Sequence, residues 1–319
     1  MRYWTIDKKN PVISPGSLHP PYDSRRAGAA HVIALGNELR MVYWGSGQGG
    51  NHILQARTSI DEPNRWQPLG GPILSAQPGT VHNCGGPSFP FLLPVTDTRW
   101  HLYFCAWGMS KNGRLPNTTG LAVSEDCGAT WRYHSQHPIV HLDRPYDAEG
   151  TGSLWILKED GRFRMYYTAL GRYFARPEGV KTGHGDTIPD IGIAYAESED
   201  GIHWEKPAEQ LLVAPRGFGV EPYEYICSKP CVLRDERGYT MWVNTFGTAY
   251  RVHRLTSPDG FHWEWAERVG PDGELGVGAA GSFDDVQRSY PTMLPAYGSL
   301  HCWFTGNRFG ETGMGYCVH

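Results

Sequence analysis

The stretch Ser124-Glu125-Asp126-Cys127-Gly128-Ala129-Thr130-Trp131 decides the fold, because the chain returns to it. Close copies stand at Ser198-Glu199-Asp200-Gly201-Ile202-His203-Trp204 and Ser257-Pro258-Asp259-Gly260-Phe261-His262-Trp263, with a looser one from Ser59 to Trp66. Asp-Gly suits a tight hairpin: Gly accepts positive φ, and Asp bonds to its own backbone. The Trp then opens the next strand and offers a large face to bury. A partial copy lies at the N-terminus, where the run from Trp4 to Val12 reads like that from Trp131 to Ile139. Its missing half is at the other end, Gly313-Met314-Gly315-Tyr316-Cys317, which reads like Gly192-Ile193-Ala194-Tyr195-Ala196.

Spacing turns the copies into an architecture. The Trp residues at 4, 66, 131, 204 and 263 are 62, 65, 73 and 59 residues apart, and going round from 263 to 4 adds 60. Periods this long, with several strands in each, are what propeller blades produce. The expectation is an all-β, five-bladed β-propeller formed by one domain over 1–319, its ring closed by the N-terminal strand completing the last blade.

Composition agrees with this reading. Forty Gly and 24 Pro supply many turns and argue against long helices, while 12 Trp, 17 Tyr and 11 Phe supply a core. A net charge of −4 gives no support for binding nucleic acid or an acidic membrane. No apolar run is long enough to span a bilayer, and the first ten residues lack the apolar segment of a signal peptide. Seven Cys, odd in number and mostly in strand-like runs, read as buried thiols of a reducing compartment. A cytoplasmic protein is expected, with no cofactor and no bound metal. Gly45–Gly50 matches G-x-G-x-x-G but is followed by a strand pattern, not a helix, so no nucleotide site is expected. Cys227 and Cys231 lack a second ligand pair for zinc.

Strands are expected at 30–35, 39–44 and 53–58; at 89–95, 100–107 and 120–124; and at 153–158, 163–169 and 191–197. The fourth and fifth repeats place them at 230–234, 239–245 and 250–256, and at 291–296, 300–305 and 313–318. An insertion over 172–189 explains the step of 73 and reads as a surface loop or a wall of the binding site.

The segments leading into each first strand carry the chemistry. An acid follows an aromatic in four of them, giving Tyr22-Asp23, Tyr146-Asp147, Tyr223-Glu224 and Phe283-Asp284, and Asn83 takes the slot in the second repeat. In a propeller such segments would ring the mouth of the central channel. Carboxylates gathered there shift one another's proton affinity, so that one can protonate a leaving oxygen while another activates water.

The five-fold period together with this acid set resembles the five-bladed glycoside hydrolases of the family 43 and family 32 superfamily, related to families 117 and 130, over nearly the whole chain. The family 43 pattern implies Asp23 as base, Asp147 as the acid that orients and tunes, and Glu224 as general acid, in an inverting, exo-acting hydrolase. It also implies a small furanoside, pentoside or oligosaccharide as substrate. Family 43 acids usually lie nearer the strand, so Glu149 and Glu221 compete with Glu224. Asn83 in the second slot speaks against the family 32 arrangement. The Ser-x-Asp-x-Gly-x-Thr-Trp box is also similar to the Asp-box of sialidases, a structural hairpin.

Candidate substrate-binding residues are Arg25, Arg26, Arg288 and Arg308, whose forked donors suit hydroxyls or anions, with Asp284 and Asp285 and the polar groups His31, His82, Asn83, Asn244 and Asn307. Each also has a structural reading, as a turn cap or a surface ion pair. Phosphorolysis or transglycosylation, tailoring of a non-sugar metabolite, and non-catalytic carbohydrate binding are the alternatives on the same scaffold.

Overall fold

The computed structural model describes residues 4–108, 117–266 and 272–319. The chain divides into two compact units, Met1–Pro138 with Val277–His319, and Ile139–Gly276.

The first unit contains three antiparallel sheets. Strands β1 (Thr5–Ile6), β2 (Arg26–Leu35), β3 (Glu38–Gly47), β4 (Gly50–Ser59), β5 (Gln67–Pro68) and β6 (Leu74–Ser75) open the chain, followed by β7 (Gly86–Pro94), β8 (Trp100–Trp107), β9 (Asn117–Ser124) and β10 (Arg132–Tyr133). β2-β3-β4-β5 form one sheet, with β6 also on β4, and β7-β8-β9-β10 form the next.

The second unit holds β11 (Gly150–Glu159), β12 (Arg162–Ala175), β13 (Thr187–Ser198), β14 (Gly217–Phe218), β15 (Tyr223–Glu224), β16 (Ile226–Asp235), β17 (Gly238–Phe246), β18 (Tyr250–Ser257) and β19 (Glu264–Trp265). Two meanders, β11-β12-β13 and β16-β17-β18-β19, meet at one parallel pair, Ile191↔Ile226, and β14-β15 form a ribbon.

The chain then returns to the first unit with β20 (Ser289–Ala296), β21 (Ser299–Thr305), the short turn α1 (Asn307–Gly310) and β22 (Met314–Val318). β1 pairs with β22 through Thr5↔Val318 and Ile6↔Cys317, so the two chain ends share one sheet.

The repeated box does what its residues dictate. Ser257 Oγ donates to Asp259 Oδ1 and accepts from the amides of Asp259 and Gly260, while Asp259 accepts from the amides of Phe261 and His262 and pairs with the His262 ring. Ser198 and Asp200 repeat this set, and Ser124 and Asp126 a close variant. The Thr130 hydroxyl and amide hold the Asp126 carboxyl down at about 2. In four repeats a two-residue strand follows the Trp: β1 after Trp4, β5 after Trp66, β10 after Trp131 and β19 after Trp263. After Trp204 a single bridge, Glu205 to Glu197, takes its place.

Each first strand begins earlier than its sequence pattern predicts and contains a bulge. Register slips at Gly28/His31, Ser88/Phe91, Thr151/Leu154, Ser228/Cys231 and Ser289/Thr292. Ala29, Phe89, Lys229 and Tyr290 adopt positive φ there, a conformation that costs free energy for residues with a Cβ. Thr hydroxyls of a neighbouring second strand receive two of these amides: Ala29 N–H donates to Thr305 and Lys229 N–H to Thr168.

Two expectations are corrected. The two ends of the insertion over 172–189 are not loop: β12 and β13 continue as a hairpin through Arg172↔Asp190 to Ala175↔Thr187, and Ile188 buries against Tyr225 and Ile226. All seven Cys are free thiols, but Cys127 is exposed and Cys84 half-exposed, because both lie in turns. Among the described residues no helix is long and apolar enough to cross a membrane.

Candidate functional site

The lead-in acids occupy equivalent places. Asp23 and Asn83 stand five residues before their bulges, as does Asp284, and Asp147 and Glu224 stand four before theirs. All are buried: Asp23, Asn83 and Asp147 are 0% exposed, Glu224 1% and Asp284 2%. Burying a carboxylate requires hydrogen bonds or a counter-charge, and the partners differ in a way that separates the acids.

In the first unit, the turn before Asp23 lies against the end of β3. A Cβ on Gly47 would stand 2.0 Å from the Pro21 carbonyl oxygen, so only Gly fits. Asp23 Oδ2 accepts from the His19 amide at 3.2 Å and from the Tyr43 hydroxyl at 2.8 Å. His19 Nδ1 lies 2.7 Å from that hydroxyl, and since Tyr43 spends its one proton on Asp23, Nδ1 must be the donor. Burial, then the Asp23 charge, pushes the Tyr43 hydroxyl far above the usual phenol range, so it remains a donor. Asp23 Oδ1 has no protein partner.

Asn83 similarly keeps Oδ1 bare, while its amide nitrogen makes long contacts at 3.4–3.5 Å to Gln77, Tyr133 and Ser75. Asp284 is fully engaged: Ser282 Oγ donates to Oδ1 at 2.7 Å and Arg288 Nε to Oδ2 at 2.6 Å. Asp285 accepts from the Gly281 amide and from Asn307 Nδ2. Asn307 Oδ1 in turn receives the amides of Val286 and Gln287, so Asn307 braces this lead-in segment.

His31 packs its ring 4.1 Å from that of Phe91 and accepts the Leu92 amide, a structural post. His82 Nδ1 bonds Thr118, and burial pushes the imidazole down to about 4. Arg26 lies 4.6 Å over the Trp44 ring and pairs with Glu311. Arg25 and Arg308 are exposed.

In the second unit, Asp147 Oδ2 accepts from Lys206 Nζ at 2.6 Å and Tyr167 at 2.9 Å, and Oδ1 accepts the Arg144 amide at 3.0 Å. Glu224 is gripped by Arg216: Nε reaches Oε1 and Oε2 at 3.0 and 3.2 Å, Nη2 reaches Oε2, and the Arg216 amide reaches Oε1. Arg216 itself lies 4.2 Å over the Trp265 ring. Glu221, at positive φ, caps the amide of Thr248 at 2.7 Å. Asn244 is buried on β17 and donates to the Lys229 carbonyl. Glu149 is exposed, and among the described residues its carboxylate has no hydrogen-bond or ion-pair partner.

The sequence reading therefore located the acids but not their partners. The structure supplies Lys206 opposite Asp147, Arg216 opposite Glu224 and Arg288 opposite Asp284. A signal was present: Pro21-Tyr22-Asp23, Pro145-Tyr146-Asp147 and Pro222-Tyr223-Glu224 are one tripeptide pattern, the mark of a repeated structural turn. Among the described residues no group of three His, Cys, Asp or Glu is placed to hold a metal ion.

Solved structures with the same fold are similar along almost the whole chain. A glycosyl hydrolase from Bacteroides ovatus is 15% identical with a TM-score of 0.72, covering 99% of this chain and 93% of that one. A structure described under the GH130 family of mannoside phosphorylases and its β-1,2-mannosidic hydrolases is 14% identical (TM-score 0.71; 99% and 93% covered). A thermostable family-43 glycoside hydrolase is 11% identical (TM-score 0.67; 96% and 92% covered). At these identities the likeness shows a shared fold. No family model matches the chain.

In sequence, it is 32% identical over 273 residues to Uncharacterized protein MT1551 of Mycobacterium tuberculosis (strain CDC 1551 / Oshkosh), covering 83% of this chain and 84% of the relative. It is 31% identical over 273 residues to Uncharacterized protein Rv1502 of Mycobacterium tuberculosis (strain ATCC 25618 / H37Rv), with the same coverage. The chain belongs to the family of these two mycobacterial proteins, built on the all-β fold it shares with glycoside hydrolases.

Proposed function

We propose that the protein hydrolyses a glycosidic bond in a small furanoside, pentoside or oligosaccharide, exo-acting and with inversion, and that its five repeats are the blades of one propeller domain over 1–319. One observation carries the chemical reading. Asp147, Glu224 and Asp284 have both carboxylate oxygens bound to protein partners, whereas Asp23 has one oxygen bound and the other bare. A general base needs a lone pair to receive a proton from water, and a fixed second oxygen to keep it aimed. Asp23 meets both needs.

A general acid needs an oxygen free to carry a proton to the leaving group. The fork of Arg216 leaves Glu224 none, so we assign that role to Glu149, whose carboxyl has no partner among the described residues, and give Glu224 and Asp147 the task of fixing the turns that hold the site. The resemblance to family 43 alone would have favoured Glu224.

The test is turnover of a panel of aryl furanosides, pentosides and hexosides by the wild type, Asp23→Asn, Glu149→Gln and Glu224→Gln, with the product anomer read by NMR. Loss of at least about a hundredfold in the first two variants is expected, the usual scale of general acid–base catalysis. A folded Asp23→Asn variant that turns over like the wild type would sink the assignment of the base. No turnover of any substrate by the wild type would sink the hydrolase reading.

A further inference from the structure

Lys206 and Arg288, both buried, and the half-buried Arg216 each face a carboxylate: Lys206 faces Asp147 and Asp143, Arg288 faces Asp284, and Arg216 faces Glu224. Lys229 does not. It is 1% exposed, yet among the described residues its Nζ has no hydrogen bond and no ion pair; Cys231 acts on it electrostatically, and its ring contact is the Trp155 face at 5.9 Å, near the outer limit of a cation–π contact. An isolated ammonium is among the costliest groups to bury.

The residue is held in place despite that cost. It occupies the positive-φ position of the β16 bulge, where φ is 49°. Its amide donates to Thr168 Oγ1 at 3.0 Å, and its carbonyl accepts from Asn244 Nδ2 at 3.3 Å, so neighbouring strands fix both ends of the residue. The corresponding bulge positions carry Ala29, Phe89, Gly152 and Tyr290, none of them charged. The positive φ is shared with Ala29, Phe89 and Tyr290 and belongs to the bulge, so it is the buried charge that sets Lys229 apart as a position kept for a ligand and not for stability.

We propose that Lys229 is an oxyanion-binding residue, and that the counter-charge missing from the protein is brought by a ligand carrying a phosphate or a carboxylate. The Thr168 hydroxyl that holds the Lys229 amide lies 3.0 Å from Ser153 Oγ. Burial pushes the Lys229 ammonium down to about 8, which leaves it largely protonated at neutral pH and able to pair. The proposal is independent of which glycosidic bond, if any, the protein cleaves.

The experiment is calorimetric titration of the full-length resting protein at pH 7 with inorganic phosphate, sulfate and galacturonate, repeated on Lys229→Met and Lys229→Gln. Lys158→Met, which alters a surface lysine on β11, is the control. At least one anion should bind the wild type and the control, and bind both Lys229 variants at least tenfold more weakly. Binding of phosphate and sulfate alone would identify free phosphate as the ligand class, and binding of galacturonate alone a carboxylate-bearing one. The absence of all three from the wild type, or equal binding by a folded Lys229 variant, overturns the proposal. The Gln variant decides the question if the Met variant does not fold.

Discussion

Lys206 Nζ lies 2.6 Å from Asp147 Oδ2, with the carboxylate wholly buried and the ammonium also contacting Asp143 and the His141 carbonyl. The pair sits where the lead-in turn meets the strand ladder of the second unit, so it fixes the turn that begins β11. Lys206→Met leaves a buried carboxylate with no counter-charge, and should cost about 3–5 kcal/mol, measured by urea unfolding. Adding Asp147→Asn to that variant should recover a large part of the loss. A single variant as stable as the wild type would mean the pair is not buried in solution.

The hairpin boxes are the converse case, since their bonds are local and pair no buried charge with another. Ser257→Ala removes one hydroxyl that serves Asp259 and Gly260, and should cost about 1–2 kcal/mol. Turnover or ligand binding should be unchanged. A loss of function without a loss of stability would contradict a purely structural box.

Locality also explains how much could be read in advance. Ser, Asp, Gly and Trp specify the hairpins at 124–131, 198–204 and 257–263 within eight residues, so a repeat of all-β units was plain from the chain alone. Asp147 finds Lys206 59 residues away, and Glu224 finds Arg216 across a ribbon, so no spacing rule reaches either partner. The bulges were hidden for another reason. Ala29, Phe89, Lys229 and Tyr290 are not residues associated with positive φ, and each takes it at the bulge where its first strand slips register against the second. The continuation of β12 and β13 was masked by Gly171 and Pro189, although Tyr173, Phe174 and Ile188 favour a strand.

Acid should destabilise the fold through its buried imidazoles. Burial, with His137 adding to it, pushes His82 down to about 4, and burial, with Arg216 adding to it, does the same to His253. In the unfolded chain each would bind its proton near 6.5. The unfolded state therefore holds more protons between these limits, so stability is full above the upper one and falls as pH drops through the window. The melting temperature should decline between about pH 6.5 and 4, and His82→Gln and His253→Gln should each flatten the slope. An unchanged slope in both would show that these rings are solvated.

Gly47→Ala tests the seat of the proposed base. The added Cβ would stand 2.0 Å from the Pro21 carbonyl oxygen, so the turn carrying Tyr22 and Asp23 must move. A loss of about 2 kcal/mol or more is expected. Misplacing a catalytic carboxylate by about 1 Å should cost a further hundredfold in kcat. Full activity in a destabilised variant would separate Asp23 from the chemistry.

Lys229 makes the sharpest prediction, because removing it should help the empty protein. With its ammonium pushed down to about 8 from an unfolded value of 10.5, the unfolded state binds more protons between those limits. Wild-type stability should therefore rise with pH across that interval, and below it the full cost of the buried charge is present. Lys229→Met lacks this cost and keeps the apolar stem. Without ligand it should melt several degrees higher than the wild type at pH 7, and the gap should close as pH approaches 10.5. Saturating anion should shrink the gap at pH 7 by raising the wild type alone. A variant that melts lower than the wild type at pH 7 without ligand would mean that the ammonium already has a partner, and the oxyanion site would lose its physical basis.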